Sequence, residues 1–274
     1  MIDQDLIKRA LAEDLQGGED ITSVATVSGA EKVVADFVAR RAGVIAGIDM
    51  ARAVLVELGL KDISVLVQDG VRVEAGAVLL TVRGDTRAIL LAERTALNFL
   101  GHLSGIATLT RRWVDEVAGT QCAIRDTRKT TPGMRQLEKY AVRMGGGTNH
   151  RMSLSDAALI KDNHIAAAGG VVAAFSQVRA KFPSAPIEIE VDTLEQLKEV
   201  LPLKPDLVLL DNMSPQQCAE AVAIAAGSCK LEASGGISLE NAKSYALSGV
   251  DYLAIGALTH SAPVLDIGLD LRVE

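Results

Sequence analysis

Eight cations against four acids crowd the forty residues from Arg125 to His164. The cations are Arg125, Arg128, Lys129, Arg135, Lys139, Arg143, Arg151 and Lys161, and the acids are Asp126, Glu138, Asp156 and Asp162. The stretch carries +4 in a chain of −7, which leaves −11 on the other 234 residues. Concentrating positive charge costs self-repulsion, so the pattern points to a pocket that gathers a small polyanion. Arginine suits bidentate carboxylate binding and lysine a point-charge contact to phosphate, so the mixed set fits a ligand bearing both groups.

Within that window, Arg128 and Lys129 follow a β-prone run, and Thr131 and Pro132 read as N-cap and first residue of the next helix. On that helix Leu137, Tyr140, Ala141 and Met144 share an inner face, and Arg135, Lys139 and Arg143 read as a solvated one. Three glycines, Gly145 to Gly147, exceed what a helix cap needs. The loop after them delivers His150 and Arg151. Lys161 directly follows an apolar run and admits two roles, Schiff-base nucleophile or electrostatic clamp, of which the clamp is preferred. Outside the window, Glu190 and Asp211 end consecutive apolar runs and would hold sugar hydroxyls or a Mg²⁺ bridging a diphosphate. Ser234-Gly235-Gly236 and Gly256 form two glycine turns where backbone N–H groups can cradle a phosphate. His102, His164 and His260 read as structural.

These residues need elements to position them. The 274-residue chain is 49% hydrophobic but only 3% aromatic, so its core is built of aliphatic side chains, as buried parallel strands require. Few aromatics and a net negative charge argue against single-stranded and duplex nucleic-acid binding. Cys122, Cys218 and Cys229 form no metal or redox pattern, and their odd number speaks for a reducing compartment. The N-terminus reads as an amphipathic helix without signal-peptide features, and no uncharged run approaches a membrane span. The expectation is a soluble, cytoplasmic protein.

Two regions differ in rhythm. In the first hundred residues, strands at 33–38, 65–68, 71–73 and 79–82 and a helix at 48–58 suggest an α+β layer. A helical pattern runs from Thr86 to Ala118, with Gly101 and Gly105 marking either close packing or a break. Strands at 122–124, 157–160, 187–191, 207–210, 230–233 and 252–255 then alternate with helices at 134–144, 171–181, 194–200, 215–226 and 239–248. That alternation predicts a parallel α/β barrel, with a doubly wound sheet second. No GxGxxG opens any of its units. In a barrel the residues after each strand converge on one face, which brings Asp126–Lys129, Lys161, Glu190 with Asp192, Asp211, Ser234–Gly236 and Gly256 to one mouth.

At these residues the chain resembles the quinolinate phosphoribosyltransferase family. The matching segments are DTRKTTPGMRQLEKYAVRMGGGTNHR, LIKDNHI, EVD, LLDNM, EASGGI and AIGALTHSAPVLDIGLDL. ALAEDL, DITS, GVIAGI and ERTALNFLGHLSGIAT match in the first half, so the resemblance is effectively full-length. Departures are Met144 for a frequent Cys, and Ser153 and Ser155 for a usual Gly and aromatic. The resemblance implies an N-terminal α/β sandwich over residues 1–107, rejoined by a tail at 268–274, and an incomplete α/β barrel over 108–267. It implies phosphoribosyl transfer from phosphoribosyl pyrophosphate to quinolinate with decarboxylation in de novo NAD biosynthesis, with Mg²⁺ and no organic cofactor. Arg128, His150 and Arg151 would hold the quinolinate carboxylates, with Thr127, Lys129 and Lys161 lining the pocket. Glu190 and Asp211 would serve ribose and metal, and Ser234, Gly235, Gly236 and Gly256 the 5′-phosphate. Lys129, Lys161, Glu190 and Asp211 would be catalytic. Arg94 would reach the site of the partner subunit in a homodimer, which can assemble further.

Three rivals stand beside this reading. A molybdate-transporter-associated paralogue shares the fold and the TRKT–GGG–HR core, but its pattern lacks the KDNHI and LLDNM segments present here. A barrel lyase would use Lys161 as a Schiff-base nucleophile. A non-enzymatic anion-binding protein would bind phosphoribosyl pyrophosphate without turning it over.

Overall fold

The computed structural model describes residues 2–29 and 31–272. The chain forms two compact units. One takes everything up to Arg111, Leu137–Gly146 and the chain from Ser261 on; the other takes Arg112–Gln136 and Gly147–His260. The expected boundaries were 107/108 and 267/268, and the expected tail includes residues 273 and 274, which lie outside the described residues.

The first unit begins with α1 (Gln4–Leu15), capped by the Asp3 carboxylate, and α2 (Ile21–Thr26), whose Asp20 carboxylate accepts from Thr22 and Ser23 N–H. Then come β1 (Lys32–Ala39), β2 (Gly43–Val44), α3 (Ile48–Glu57), β3 (Asp62–Val65), β4 (Arg72–Val73) and β5 (Val78–Asp85). β3 lies earlier than the 65–68 run suggests, because Leu66 and Val67 N–H both turn onto the Leu79 carbonyl. β1 is buried along almost its whole length, and even its Asp36 is satisfied, by Thr81 Oγ1 at 2.7 Å and Arg272 Nε at 2.8 Å. α4 (Thr86–Glu116) follows directly, with Asp85 Oδ1 accepting from Ala88 N–H at 2.9 Å.

α4 is one unbroken helix, which settles the role of its glycines. A Cβ on Gly105 would stand 2.1 Å from the Pro263 carbonyl oxygen, and one on Gly101 would stand 3.0 Å from the Leu265 carbonyl oxygen. Both are there for close approach, not as breaks.

After β6 (Ala123–Arg125), the polypeptide turns through Gly133, whose φ of +82° delays α5 until Arg135 (Arg135–Met144). Thr131 and Pro132 therefore sit in a turn and do not cap the helix. Leu137 and Ala141 are buried as expected, but so are Glu138 and Lys139, both 0% exposed, so the solvated-face expectation fails for Lys139. It fails in part for Arg135 too, which donates to Thr130 Oγ1 and the Met152 carbonyl. Glu138 meets His102 Nε2 at 2.9 Å, giving that histidine the structural role read from sequence. Gly145 lets α5 close on α4, since a Cβ there would stand 2.4 Å from the Ala107 carbonyl oxygen.

The remaining elements alternate: β7 (Ala158–Ile160), α6 (Asp162–Ala168), α7 (Val171–Lys181), β8 (Ile187–Val191), α8 (Leu194–Val200), β9 (Leu207–Asp211), α9 (Pro215–Ala225), β10 (Lys230–Ser234), α10 (Leu239–Leu247), β11 (Tyr252–Ala254) and α11 (Ala257–His260). The last strand, β12 (Ile267–Arg272), returns to the first unit and pairs with β1 in the order β12-β1-β5-β3. In the second unit the parallel order is β6-β11-β10-β9-β8-β7. The first strand thus lies beside the last, as in a barrel, and the opening falls between β6 and β7. This is the expected open α/β barrel with an antiparallel α+β domain. Among the described residues no helix is long and apolar enough to cross a membrane.

Candidate active site

Ladder register decides which side chains share an edge. Ile160 lies opposite Ile189, Val191 opposite Leu210, Asp211 opposite Ser234, and Ala254 opposite Arg125. Because all six strands run parallel, Lys161, Glu190, Asp211, Ser234–Gly236, Gly256 and Asp126–Lys129 all follow or end strands at the C-terminal edge of one sheet.

Along that edge the groups fall into linked sets. Lys161, about half exposed, is ion-paired with the buried Glu190. Asp211 is held above the ordinary carboxylate range, first by burial and then by the charge of Glu190, while Lys161 opposes the shift. Asn212 donates to Asp211 at 2.6 Å and also packs against the glycine turn. There Gly235 (φ +87°) tolerates no side chain, since a Cβ would stand 2.1 Å from Asn212 Oδ1. Gly236 (φ +62°) is left-handed too. At the next turn, a Cβ on Gly256 would meet Lys129 Cδ at 3.1 Å, and the Lys129 carbonyl accepts from Thr259 Oγ1 at 2.7 Å. Thr127 Oγ1 accepts from Lys129 N–H at 3.1 Å, shaping the turn that presents Arg128 and Lys129.

His150 and Arg151 sit on a loop docked against β6. Thr148 bridges Arg125 in parallel, with Thr148 N–H donating to the Ile124 carbonyl at 2.8 Å. Asp126, wholly buried just past β6, accepts from His150 N–H at 2.8 Å and from Asn149 Nδ2 at 2.5 Å. Arg151 donates to the Ala157 carbonyl at 2.8 Å, and its guanidinium is held below its ordinary pKa by burial first and by nearby Arg128 second. Arg128 Nε is buried with no acceptor. Ser153 and Ser155, two of the departures from the family pattern, bond each other at 2.8 Å in a turn braced by Asp156. Lys161 N–H donates to His164 Nδ1 at 3.0 Å, so His164 is structural as read.

Sequence reading missed a second set beneath the edge. His150 Nε2 lies 2.6 Å from Glu188 and 3.9 Å from Glu232, and Arg125 donates to Glu232 at 2.7 Å. Arg125 also stacks 4.0 Å over the Tyr252 ring. Ligand atoms of His150, Glu188 and Glu232 lie within 4.8 Å of one another, the one metal-like grouping of three among the described residues. The Arg125 guanidinium bonded to Glu232 already supplies the cation there. The available signal was IEIEV at 187–191, where glutamates alternate with aliphatics in a strand buried throughout.

The sheet edge brings together Thr127, Arg128, Lys129, Lys161, Glu190, Asp211, Ser234, Gly235, Gly236 and Gly256, while His150 bonds Glu188 beneath it and Arg151 bonds the chain just before β7. Arg94 belongs to the first unit, exposed on α4. Fold and site together define an open α/β-barrel protein whose C-terminal strand ends carry cations, carboxylates and glycine turns. The N-terminal domain of quinolinate phosphoribosyl transferase matches residues 20–104 of this chain, and the C-terminal domain matches residues 106–270. The chain belongs to the quinolinate phosphoribosyl transferase family.

Its relatives agree. A nicotinate-nucleotide pyrophosphorylase [carboxylating] of Mycobacterium leprae is 56% identical, with 98% of this chain and 96% of that protein covered. The nicotinate-nucleotide pyrophosphorylase structure from Ehrlichia chaffeensis superposes with a TM-score of 0.94 at 40% identity, covering 98% of both chains. The one from Francisella tularensis gives 0.95 at 38% identity, covering 99% of this chain and 98% of that one.

Proposed function

We propose that this chain transfers the phosphoribosyl group of phosphoribosyl pyrophosphate to quinolinate and releases pyrophosphate and CO₂, leaving nicotinate mononucleotide for NAD biosynthesis. The observation that carries the reading is one sheet edge where Arg128, Lys129 and Lys161 stand with the carboxylates Glu190 and Asp211 and the glycine turns at Gly235 and Gly256.

Arg128, His150 and Arg151 bind the two ring carboxylates, a role supported by the buried Arg128 Nε without an acceptor. Lys129 and Lys161 line the anionic pocket beside Thr127. Ser234, Gly235, Gly236 and Gly256 cradle the 5′-phosphate, supported by Gly235, which leaves no room for a side chain, and by the left-handed backbone of Gly235 and Gly236. When pyrophosphate departs, the electron pair of the C1′–O bond leaves with it and positive charge develops on the ribosyl carbon. Glu190 and Asp211 stabilise that charge, and the lysines offset the charge on the leaving group. The pyridine nitrogen donates its lone pair to C1′. The pyridinium then accepts the electron pair of the ring–carboxylate bond as CO₂ leaves, and a proton takes its place on carbon.

A divalent cation fits Glu190 and Asp211. Asp211 faces Glu190, Asp192 and Asp162 with Lys161 as the opposing charge, and Mg²⁺ is commonly held by one or two carboxylates plus substrate phosphates. Bound there, Mg²⁺ would neutralise diphosphate charge. A homodimer, with the exposed Arg94 serving the site of the partner subunit, and a cytoplasmic location complete the proposal, the latter supported by three free cysteines.

Quinolinate with phosphoribosyl pyrophosphate should yield nicotinate mononucleotide by mass spectrometry. Arg151→Ala or Lys161→Ala should retain the fold by circular dichroism and lose turnover by about 100-fold or more. Near-normal kinetics in either variant would count against the site.

A further inference from the structure

We propose that Asn212 is a positioning residue for the phosphoribosyl donor. Its carboxamide stands between the Asp211 carboxylate and the Gly235 turn and holds the two in register, so that ribose and 5′-phosphate meet one preset unit. The inference rests on the reading of Asp211 as a ribose-binding carboxylate and of Ser234–Gly236 as the phosphate cradle.

The backbone singles this residue out. Among the described residues four other than glycine hold a positive φ: Gln16, Lys204, Asn212 and Ala226. Gln16, Lys204 and Ala226 each close a helical segment, the ordinary place for a left-handed residue. Asn212, at +53°, closes no helix. It follows β9 directly at the sheet edge and is exposed, so burial does not offset the strain. Asparagine tolerates this region better than most residues, but glycine takes it freely. A side chain at this position is explained by what it touches.

It touches both halves of the cradle. The parallel ladder pairs Asp211 with Ser234, and Asn212 N–H donates to the Ser234 carbonyl at 2.9 Å, which carries the register one residue past the strand. Asn212 Nδ2 donates to Asp211 Oδ2 at 2.6 Å. A carboxylate only accepts, so the amide gives it the N–H side and turns its oxygen to the neighbouring strand. There Gly235, at φ +87°, packs so closely that a Cβ would stand 2.1 Å from Asn212 Oδ1 and 2.7 Å from its Cγ. One planar group thus fixes both the carboxylate that ends β9 and the turn that follows β10. Neighbouring strands lie about 4.8 Å apart, the scale of one pentose with hydroxyls at one side and phosphate at the other.

The test is Asn212→Gly in the full chain. Glycine adopts the left-handed backbone without strain, so thermal unfolding should show the fold retained while both side-chain contacts are gone. The kcat should fall about tenfold and KM for phosphoribosyl pyrophosphate rise about fivefold, with KM for quinolinate within about twofold. Calorimetry without added metal should show nicotinate mononucleotide bound about fivefold more weakly. Asn212→Asp keeps the size and the tolerance of left-handed backbone but loses the donor, so its kcat should fall at least as far. If the glycine variant fails to fold, the aspartate variant carries the test alone. A kcat and a phosphoribosyl pyrophosphate KM both within about twofold of wild type, or a quinolinate KM that rises as far as the other, overturns the proposal. Asp211→Asn with wild-type kinetics, or a wild-type protein that binds no nicotinate mononucleotide, would instead sink the site reading itself.

Discussion

Glu232 sits on β10 with Glu188 at its side and Arg125 bonded to it, and burial dominates its titration. Burial first, then the charge of Glu188, push its carboxyl up to about 7, against the pull of Arg125 and His150. A carboxyl raised in the folded state stabilises the fold fully below its unfolded value of 4.5 and loses that contribution as pH climbs through about 7. Denaturant unfolding of wild type and Glu232→Gln should therefore show wild type losing stability relative to the variant between pH 4.5 and pH 8; a difference flat with pH would refute it. The residues legible in sequence, such as Lys161, Glu190 and Asp211, end their runs and so announce themselves. Glu188 and Glu232 did not, because a glutamate inside a strand reads as the solvent-facing half of an alternation. Only the curl of the sheet turns that face inward.

At the scale of elements, α4 shows what periodicity can and cannot carry. Its length was readable from Thr86 onwards, but the pattern could not tell a break from a close contact at Gly101 and Gly105. The contact is made by the chain around Pro263–Leu265, some 160 residues away. Gly105→Ala tests this: alanine gains about 1 kcal/mol of helix propensity, yet the Pro263 carbonyl 2.1 Å from the new carbon must be displaced. Overpacking of that kind should leave the variant about 2 kcal/mol less stable in net. A urea midpoint equal to or above wild type would contradict it. The strands of the barrel were legible within a residue or two, since β8 and β9 are fully aliphatic on one face and punctuated by polar strand ends. α5 was harder: Lys139 has the look of a surface lysine and is wholly buried. α6 went unread because DNHIAAA follows the strand with no intervening loop.

For the whole molecule, the surplus of positive charge between Arg125 and His164 in a chain of −7 was the first clue. Three of its cations, Arg128, Lys129 and Lys161, stand at the sheet edge, while Arg125 lies beneath it and Lys139 is spent on the interior. What no local pattern could show is that the window is divided between two compact units, with Leu137–Gly146 folding with the first hundred residues. Tertiary contact, not composition, made that assignment. The central claim is that one sheet edge gathers both reactants and couples transfer to decarboxylation. Quinolinate labelled in the ring carboxyl adjacent to nitrogen tests it most directly. With phosphoribosyl pyrophosphate and Mg²⁺ the purified protein should release labelled CO₂ and pyrophosphate one for one. Release of pyrophosphate without labelled CO₂, or of neither, would contradict the account.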